Sequence, residues 1–324
     1  MKVLITRIIS ESGLKVLADA GFAYTQYTEK VALSQADLIK MCKEHDAFIS
    51  VGPNIIDTYF LKECKHLKAI SLLSAGYDNV DVNAANKLKI PIGHTPGVVS
   101  GATADVAFLL MLAVSRNAFY MHNSITKGNW GFFEPTVNLG VELNGKTLGI
   151  FGLGKIGFEL ARKCAAAYNM KIIYHNRSRN IQAEQAFDAQ LVSFETLLKE
   201  SNVLSVHAGL SDETKDLFNK NAFIKMKTSS IFINTARGAI HNEADLYEAM
   251  KNKTIWGAGL DVTNPEPMDK NNPLLSMPNV CVLPHIGTGT METRNAMAAL
   301  AAGNIVAALN GERMPHVINP EVYS

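Results

Sequence analysis

Cysteine is scarce in this chain: four in 324 residues, at Cys42, Cys64, Cys164 and Cys281, with no Cys-x-x-Cys pair. Thiols so dispersed form neither a disulfide framework nor a zinc site, so no metal is expected, and reduced, buried thiols in the cytoplasm are the natural reading. Charge of one sign is equally lacking. With 31 Lys+Arg against 30 Asp+Glu, no net positive field gathers nucleic acid or an anionic membrane, and neither is expected as a partner. At the N-terminus a short apolar run is closed by Arg7, far short of a signal peptide or a membrane span, and it reads as a first β-strand. The final Glu321-Val-Tyr-Ser matches no retention or peroxisomal address. Repeats, low-complexity tracts and charge blocks are also missing.

What remains is globular material. Apolar residues make up 47% and charged residues 19%, a balance that excludes large-scale disorder. A chain of 324 residues exceeds the usual size of one core, so two domains are expected. Apolar runs alternate with amphipathic stretches at 2–6, 11–20, 34–43, 47–51, 55–63, 69–73 and 80–88, a β/α alternation. A second alternation starts at Lys146 and continues through 171–174, 203–207, 230–234, 257–262 and 279–283, as suits parallel strands buried on both faces. Between them, Ser100 to Ser115 is Ala-, Leu- and Val-rich without proline and reads as a buried helix joining two domains. Met291 to Leu309 reads as another helix, ended by Asn310-Gly311, and the pattern alone assigns it to neither domain.

Directly after the strand Thr147 to Phe151 comes Gly152-Leu-Gly154-Lys-Ile-Gly157, then a helix to Tyr168 and a strand from Lys171. That is a complete βαβ unit around G-x-G-x-x-G. Gly152 permits the tight turn, Gly154 lets backbone N–H groups approach a pyrophosphate, and Gly157 lets the helix pack closely on the strand. The second strand ends Tyr174-His175-Asn176-Arg177-Ser178-Arg179, with no carboxylate for an adenosine ribose. Arg177, Ser178 and Arg179 are suited to a 2′-phosphate, which favours NADP, with NAD the second candidate.

Polar residues also follow three later strands, where open α/β sheets place ligands: Asn234-Thr-Ala-Arg237-Gly, Asp261-Val-Thr-Asn-Pro-Glu266-Pro and Pro284-His285-Ile-Gly287. Reduction of a 2-keto acid by a nicotinamide needs a cation for the carboxylate, an acid for the carbonyl oxygen and a partner that keeps that acid protonated. Arg237, His285 and Glu266 supply those chemistries. Each also has a plain reading, as a strand-end cap, a second-layer histidine and a solvated carboxylate. Among the other histidines only His207, ending a strand near the expected cofactor site, is kept in reserve, and the rest read as structural or surface.

Taken together, these segments resemble the D-isomer-specific 2-hydroxyacid dehydrogenases over essentially the whole chain, and within them the NADPH-dependent glyoxylate/hydroxypyruvate reductases. The resemblance implies an α/β protein of two Rossmann-like domains with parallel sheets and an active-site cleft between them. A flavodoxin-like substrate-binding domain would comprise 1–99 plus 286–324, and a dinucleotide-binding domain 100–285. It implies reduction of a small 2-keto acid to the D-2-hydroxy acid, with Arg237 on the carboxylate, His285 as proton donor and Glu266 as its charge partner. Lys155, Ile156, Asn176, Ala208, Thr235, Ala236, Asp261 and Gly287 join the glycines and arginines as cofactor residues, Asp261 holding the nicotinamide carboxamide. Backbone amides at Val51-Gly52 and Ser74-Ala75-Gly76 would meet the substrate carboxylate. A homodimer through the cofactor domain is implied as well. Two departures stand out: His175 sits where NAD-using relatives carry an acid, and Gly209 where many have proline. The alternatives are a 2-ketogluconate-type or other NAD(H) enzyme and a dinucleotide-sensing corepressor-like protein; formate dehydrogenase chemistry has no need of a His–Glu proton-donating pair.

Overall fold

The computed structural model describes residues 1–324. The chain forms two compact units, Met1–Val99 with Gly289–Ser324, and Ser100–Thr288, so the second junction lies slightly beyond the 285/286 expected from the sequence.

Unit 1 runs β1 (Lys2–Ile5), α1 (Glu11–Asp19), β2 (Ala23–Gln26), α2 (Gln35–Cys42), β3 (Ala47–Ser50), α3 (Thr58–Glu63), β4 (Ala69–Leu72), α4 (Val82–Lys87) and β5 (Ile92–Gly93). Side-chain caps start three of the helices: Ser34 accepts the Asp37 N–H, Asp57 that of Phe60 and Asp81 that of Ala84, satisfying first-turn donors. All strand pairs are parallel in the order β2-β1-β3-β4-β5, so the order reverses between β1 and β3, the point beyond which such sheets place ligands. The helix Met291–Leu309, which its apolar pattern assigns to neither domain and the resemblance assigns to the first, belongs to this unit. It lies so close to α1 that a Cβ on Gly13 would come 2.8 Å from the Ala298 carbonyl oxygen, and Ser12 Oγ donates to the Asn295 carbonyl at 2.8 Å.

Unit 2 opens with the predicted apolar helix, α5 (Ser100–Ser115), followed by α6 (Ala118–Thr126). The pair bends by 65° at Asn117, which adopts φ +52°. Its sheet and helices follow as β6 (Thr147–Phe151), α7 (Lys155–Tyr168), β7 (Lys171–His175), α8 (Ile181–Phe187), β8 (Gln190–Leu191), α9 (Phe194–Glu200), β9 (Val203–Val206), α10 (Lys220–Lys225), β10 (Ile231–Asn234), α11 (Glu243–Lys251), β11 (Gly257–Leu260) and β12 (Val280–Val282); the helix Met291–Leu309 is α12. The seven strands are parallel, ordered β12-β11-β10-β9-β6-β7-β8. Central strands such as β9, β10 and β11 are buried along their whole length, which is why they read as unbroken apolar runs. Helix α5 covers one face of the sheet; a Cβ on Gly259 would come 2.9 Å from Leu110 Cβ. The switch point falls between β6 and β9, and the dinucleotide motif lies directly beyond β6.

Both sheets agree with an α/β protein of two Rossmann-like domains. No single helix is long and apolar enough to cross a membrane. Three strands escaped the sequence reading. β2 is a largely exposed edge strand, and β5 and β8 have two residues each, too short for a periodic signal.

Candidate active site

The glycine loop is shaped by close packing on one side and open space on the other. Gly152 has φ +91°, and a Cβ there would come 2.5 Å from the Ala208 amide nitrogen in the loop after β9. Only glycine fits both the left-handed backbone and that approach. A Cβ on Gly154 would meet nothing within 4 Å, and Gly154 caps α7 with no side-chain hydrogen bond. The first-turn N–H groups, including those of exposed Lys155 and half-buried Ile156, thus remain for a phosphate at the positive helix end. Gly157 is buried, with Ile150 Cγ2 3.0 Å from a Cβ there, the tight helix–strand contact expected of a third glycine. The loop's form fits a dinucleotide.

Beyond β7 the four polar residues divide. Asn176 Oδ1 accepts the Leu153 N–H at 2.6 Å while its Nδ2 donates to the Leu153 carbonyl at 3.2 Å, so this amide clamps the glycine loop. Arg179 is held by Glu184: its Nε donates to both carboxylate oxygens at 3.1 Å and its Nη2 pairs with Oε2. Glu184 is in turn anchored by the buried Tyr174 hydroxyl at 2.6 Å. Arg177 and Ser178 are exposed, leaving Arg177 as the unpaired cation of the turn. His175 stacks on Phe151 and hydrogen-bonds the Val192 carbonyl at 2.9 Å.

His285 and Glu266 meet. His285 Nδ1 lies 2.5 Å from Glu266 Oε1, both side chains roughly half exposed. Desolvation raises the Glu266 carboxyl, but hydrogen bonding and charge from His285, a backbone bond at Thr263 and the charge of Arg237 outweigh it and hold the group below the ordinary range. His285 itself has φ +54°, unusual for a residue with a Cβ. Asp261, beyond β11 and 1% exposed, holds that backbone: its Oδ1 accepts the Ile286 N–H and its Oδ2 the Gly287 N–H, each at 2.7 Å. Burial leaves Asp261 above the ordinary carboxylate value despite these donors. Gly287 is needed for the fit, since a Cβ there would lie 2.9 Å from Asp261 Oδ2.

Arg237 leaves β10 through a tight loop. Asn234, fully buried, accepts the Ala236 N–H at 3.0 Å and donates to the Arg237 carbonyl at 2.9 Å; Arg237 Nη1 donates to the Ala236 carbonyl at 2.8 Å. A Cβ on Gly238 would come 2.0 Å from the Thr263 carbonyl oxygen, so the Arg237 and Glu266 loops touch through backbone. Thr235 Oγ1 lies 3.4 Å from His207 Nδ1, and His207 Nε2 2.8 Å from Ser205 Oγ. Desolvation pushes His207 down to about 4, so it is neutral at physiological pH and a poor rival to His285 as an acid. A Cβ on Gly209 would meet nothing within 4 Å, and its departure from proline has no visible consequence.

In unit 1, Val51 and Gly52 follow β3 at the switch point. The Val51 N–H is taken by Thr6 Oγ1 at 2.9 Å, and Asn54 Nδ2 braces the same loop on Thr6 Oγ1, Ser50 Oγ and the Val51 carbonyl. Val51 therefore has no amide to offer, while the N–H of Gly52, a residue at φ +91°, has no acceptor in the protein. The Ser74 hydroxyl donates to the Gly76 carbonyl at 2.7 Å, and His94 Nδ1 contacts the Ala75 carbonyl at 2.9 Å. Those bonds shape the loop and leave the Ala75 and Gly76 N–H groups open.

Sequence reading missed Glu184, Asn234 and the backbone grip of Asp261, because each acts on a neighbour through the fold. His241, read from the sequence as structural or surface, is fully buried against Asn234.

Residues 108–287 match the D-isomer specific 2-hydroxyacid dehydrogenase, NAD binding domain. The chain is 40% identical over 325 residues to a glyoxylate reductase of Thermococcus litoralis, covering 99% of this chain and 97% of the relative. A probable 2-ketogluconate reductase of Dictyostelium discoideum is 34% identical, covering 99% and 96%. Among solved structures, an NADPH-dependent glyoxylate/hydroxypyruvate reductase of Sinorhizobium meliloti in complex with NADP and malonate superposes with a TM-score of 0.85 at 27% identity, covering 99% of this chain and 97% of that one. Match and geometry agree, and the chain belongs to the D-isomer-specific 2-hydroxyacid dehydrogenase family of oxidoreductases.

Proposed function

We propose that this enzyme reduces a small 2-keto acid of the glyoxylate/hydroxypyruvate type to the D-2-hydroxy acid, with NADPH preferred to NADH. The observation that carries the reading is the His285–Glu266 contact at 2.5 Å, made beside the loop that presents Arg237. When bound, the nicotinamide supplies the hydride. His285 gives its proton to the carbonyl oxygen as that oxygen becomes an alkoxide, Glu266 orients the ring and faces it with a carboxylate, and Arg237 binds the carboxylate and polarises the carbonyl. In unit 1 the open amides of Gly52, Ala75 and Gly76 are the groups suited to a carboxylate.

NADPH preference is supported by Arg177, exposed and unpaired beyond β7, with no carboxylate at position 175. Arg179 contributes less, because Glu184 already neutralises it. Gly152, Gly154, Gly157, Lys155 and Ile156 would hold the pyrophosphate, and Ala208, Thr235, Ala236, Asp261 and Gly287 border the rest of the cofactor from the ends of β9 to β12. The relative named for 2-ketogluconate favours a larger keto-sugar acid as the second substrate to try. We further propose a homodimer through unit 2, where Trp130, Phe132 and Phe133 are 80%, 93% and 80% exposed, more apolar surface on one segment than a monomer usually shows. Four buried free thiols suit the cytoplasm.

The test is turnover: NADPH oxidation with glyoxylate, hydroxypyruvate, pyruvate and 2-ketogluconate in parallel, and light scattering for the dimer. Failure to turn over any keto acid with either nucleotide removes the enzyme reading in favour of a dinucleotide sensor.

A further inference from the structure

His241 is a buried imidazole to which the proposed mechanism gives no part. It lies at 0% exposure, edge-on to Phe232 with ring centroids 5.8 Å apart, and its Nδ1 is 3.0 Å from Asn234 Nδ2. Which end of the Asn234 amide is oxygen and which nitrogen follows from its other two bonds, the oxygen accepting the Ala236 N–H and the nitrogen donating to the Arg237 carbonyl. The second amide hydrogen therefore points at His241, and Nδ1 must be the acceptor. The ring proton then sits on Nε2, which is buried with no partner. An orphaned buried donor destabilises the fold, a cost that an apolar residue at this position would not carry. What the imidazole provides in return is an acceptor for the second amide hydrogen of Asn234.

We infer that His241 and Asn234 form a positioning unit for Arg237: the buried ring locks the amide, and the amide clasps the loop that presents the guanidinium. The inference rests on Arg237 binding the substrate carboxylate. Neither residue touches substrate. Losing the acceptor frees the Asn234 amide to rotate, which loosens the Arg237 carbonyl and the Ala236 amide together while leaving the glycine loop after β6 alone.

The experiment compares keto-acid KM, kcat and NADPH Kd for His241→Leu, His241→Gln and Arg237→Ala, with folding followed by circular dichroism. Leucine fills the space without an acceptor, whereas the glutamine carbonyl can still accept from Asn234. His241→Leu is expected to raise KM about tenfold, the scale of a lost hydrogen bond, with a smaller fall in kcat and unchanged NADPH Kd; His241→Gln restores most of the KM. An unchanged KM in a folded leucine variant, or equal defects in both variants, overturns the inference. If the leucine variant does not fold, Asn234→Asp decides, since it keeps the acceptor for Ala236 and loses both donors: a raised KM at constant NADPH Kd supports the unit and an unchanged KM overturns it. Arg237→Ala separates the two levels. A large KM rise there with none in the other variants sinks only the positioning unit, whereas no rise there sinks the carboxylate role of Arg237 and the unit with it.

Discussion

Oδ2 of Asp261 accepts the Gly287 N–H at 2.7 Å, so a buried carboxylate grips the backbone just past His285. With Oδ1 on the Ile286 N–H, the grip spans the turn that gives His285 its positive φ. Asp261→Asn presents one amide nitrogen to a backbone N–H and breaks half of the grip. Reduction should slow by about 10- to 100-fold, on the scale of one or two hydrogen bonds to a charged group, with the fold intact by circular dichroism.

The same residue predicts an acid limb. Burial first, opposed by the two N–H donors and the charge of His285 and reinforced by that of Glu266, leaves Asp261 above the ordinary range of an aspartate. As pH falls, Asp261 takes up a proton sooner than an exposed aspartate, and the grip on the turn weakens. The stability linkage has the opposite sign: a carboxyl raised in the fold contributes stability that is full below the unfolded value and is lost as pH rises through the folded value. Turnover should therefore fail on acidification before Asp261 itself unfolds anything. Parallel pH profiles of kcat and ellipticity check this, and coincident midpoints would refute it.

Glu266 acts through its charge. With its carboxyl held below the usual range, it stays charged throughout the neutral region and sets a negative charge 2.5 Å from His285 Nδ1. Glu266→Gln removes that charge and keeps an oxygen able to accept from the ring, so kcat for reduction should fall by about tenfold or more with NADPH Kd nearly unchanged, and an unaltered kcat would take Glu266 out of the mechanism. His285→Ala should cut kcat by about 10²- to 10⁴-fold with NADPH binding nearly unchanged. A nearly normal kcat in that variant would remove His285 from the mechanism.

The two arginines after β7 should separate. Arg177→Ala is expected to lower kcat/KM for NADPH by about tenfold or more and to leave NADH almost unaffected, because only NADPH has a 2′-phosphate to lose. Arg179→Ala should cost NADPH less, since its fork is already engaged by Glu184. Equal losses from the two replacements, or an NADH advantage in the parent enzyme, would contradict the assignment.

Gly152→Ala tests the cofactor loop by crowding. The added Cβ meets the Ala208 amide nitrogen at 2.5 Å in a backbone at φ +91°, so the loop must move or the strand ends must part. NADPH and NADH Kd should both rise by more than about tenfold, unlike the selective loss at Arg177. Titration of each nucleotide by fluorescence quenching distinguishes the two patterns.

Local pattern made much of this molecule legible. The buried strands β9, β10 and β11 announced themselves as apolar runs, and the glycine triple fixed the place of the phosphate loop, because both signals lie in consecutive residues. The polar strand ends of Arg237, Glu266 and His285 were visible for the same reason. Pairings across the fold were not. Glu184 on Arg179, Asp261 on the 286–287 amides and His241 on Asn234 depend on which loops the sheet order brings side by side, and Val51 gave no sign that Thr6 would take its amide. β2 was invisible because an exposed edge strand carries no apolar alternation.

Helix α12 has one more consequence, for the order in which the polypeptide matures. Ser12 and Asn295 are bonded across 283 positions of chain, and Gly13 is fitted to Ala298. A ribosome releases all of unit 2 before it releases the helix that covers Leu14 and Leu17. Until then the first-made sheet has an unsealed apolar flank, and contacts this distant in sequence form slowly. The nascent protein thus keeps a sticky seam open for most of its synthesis, and α12 is the last piece to close it.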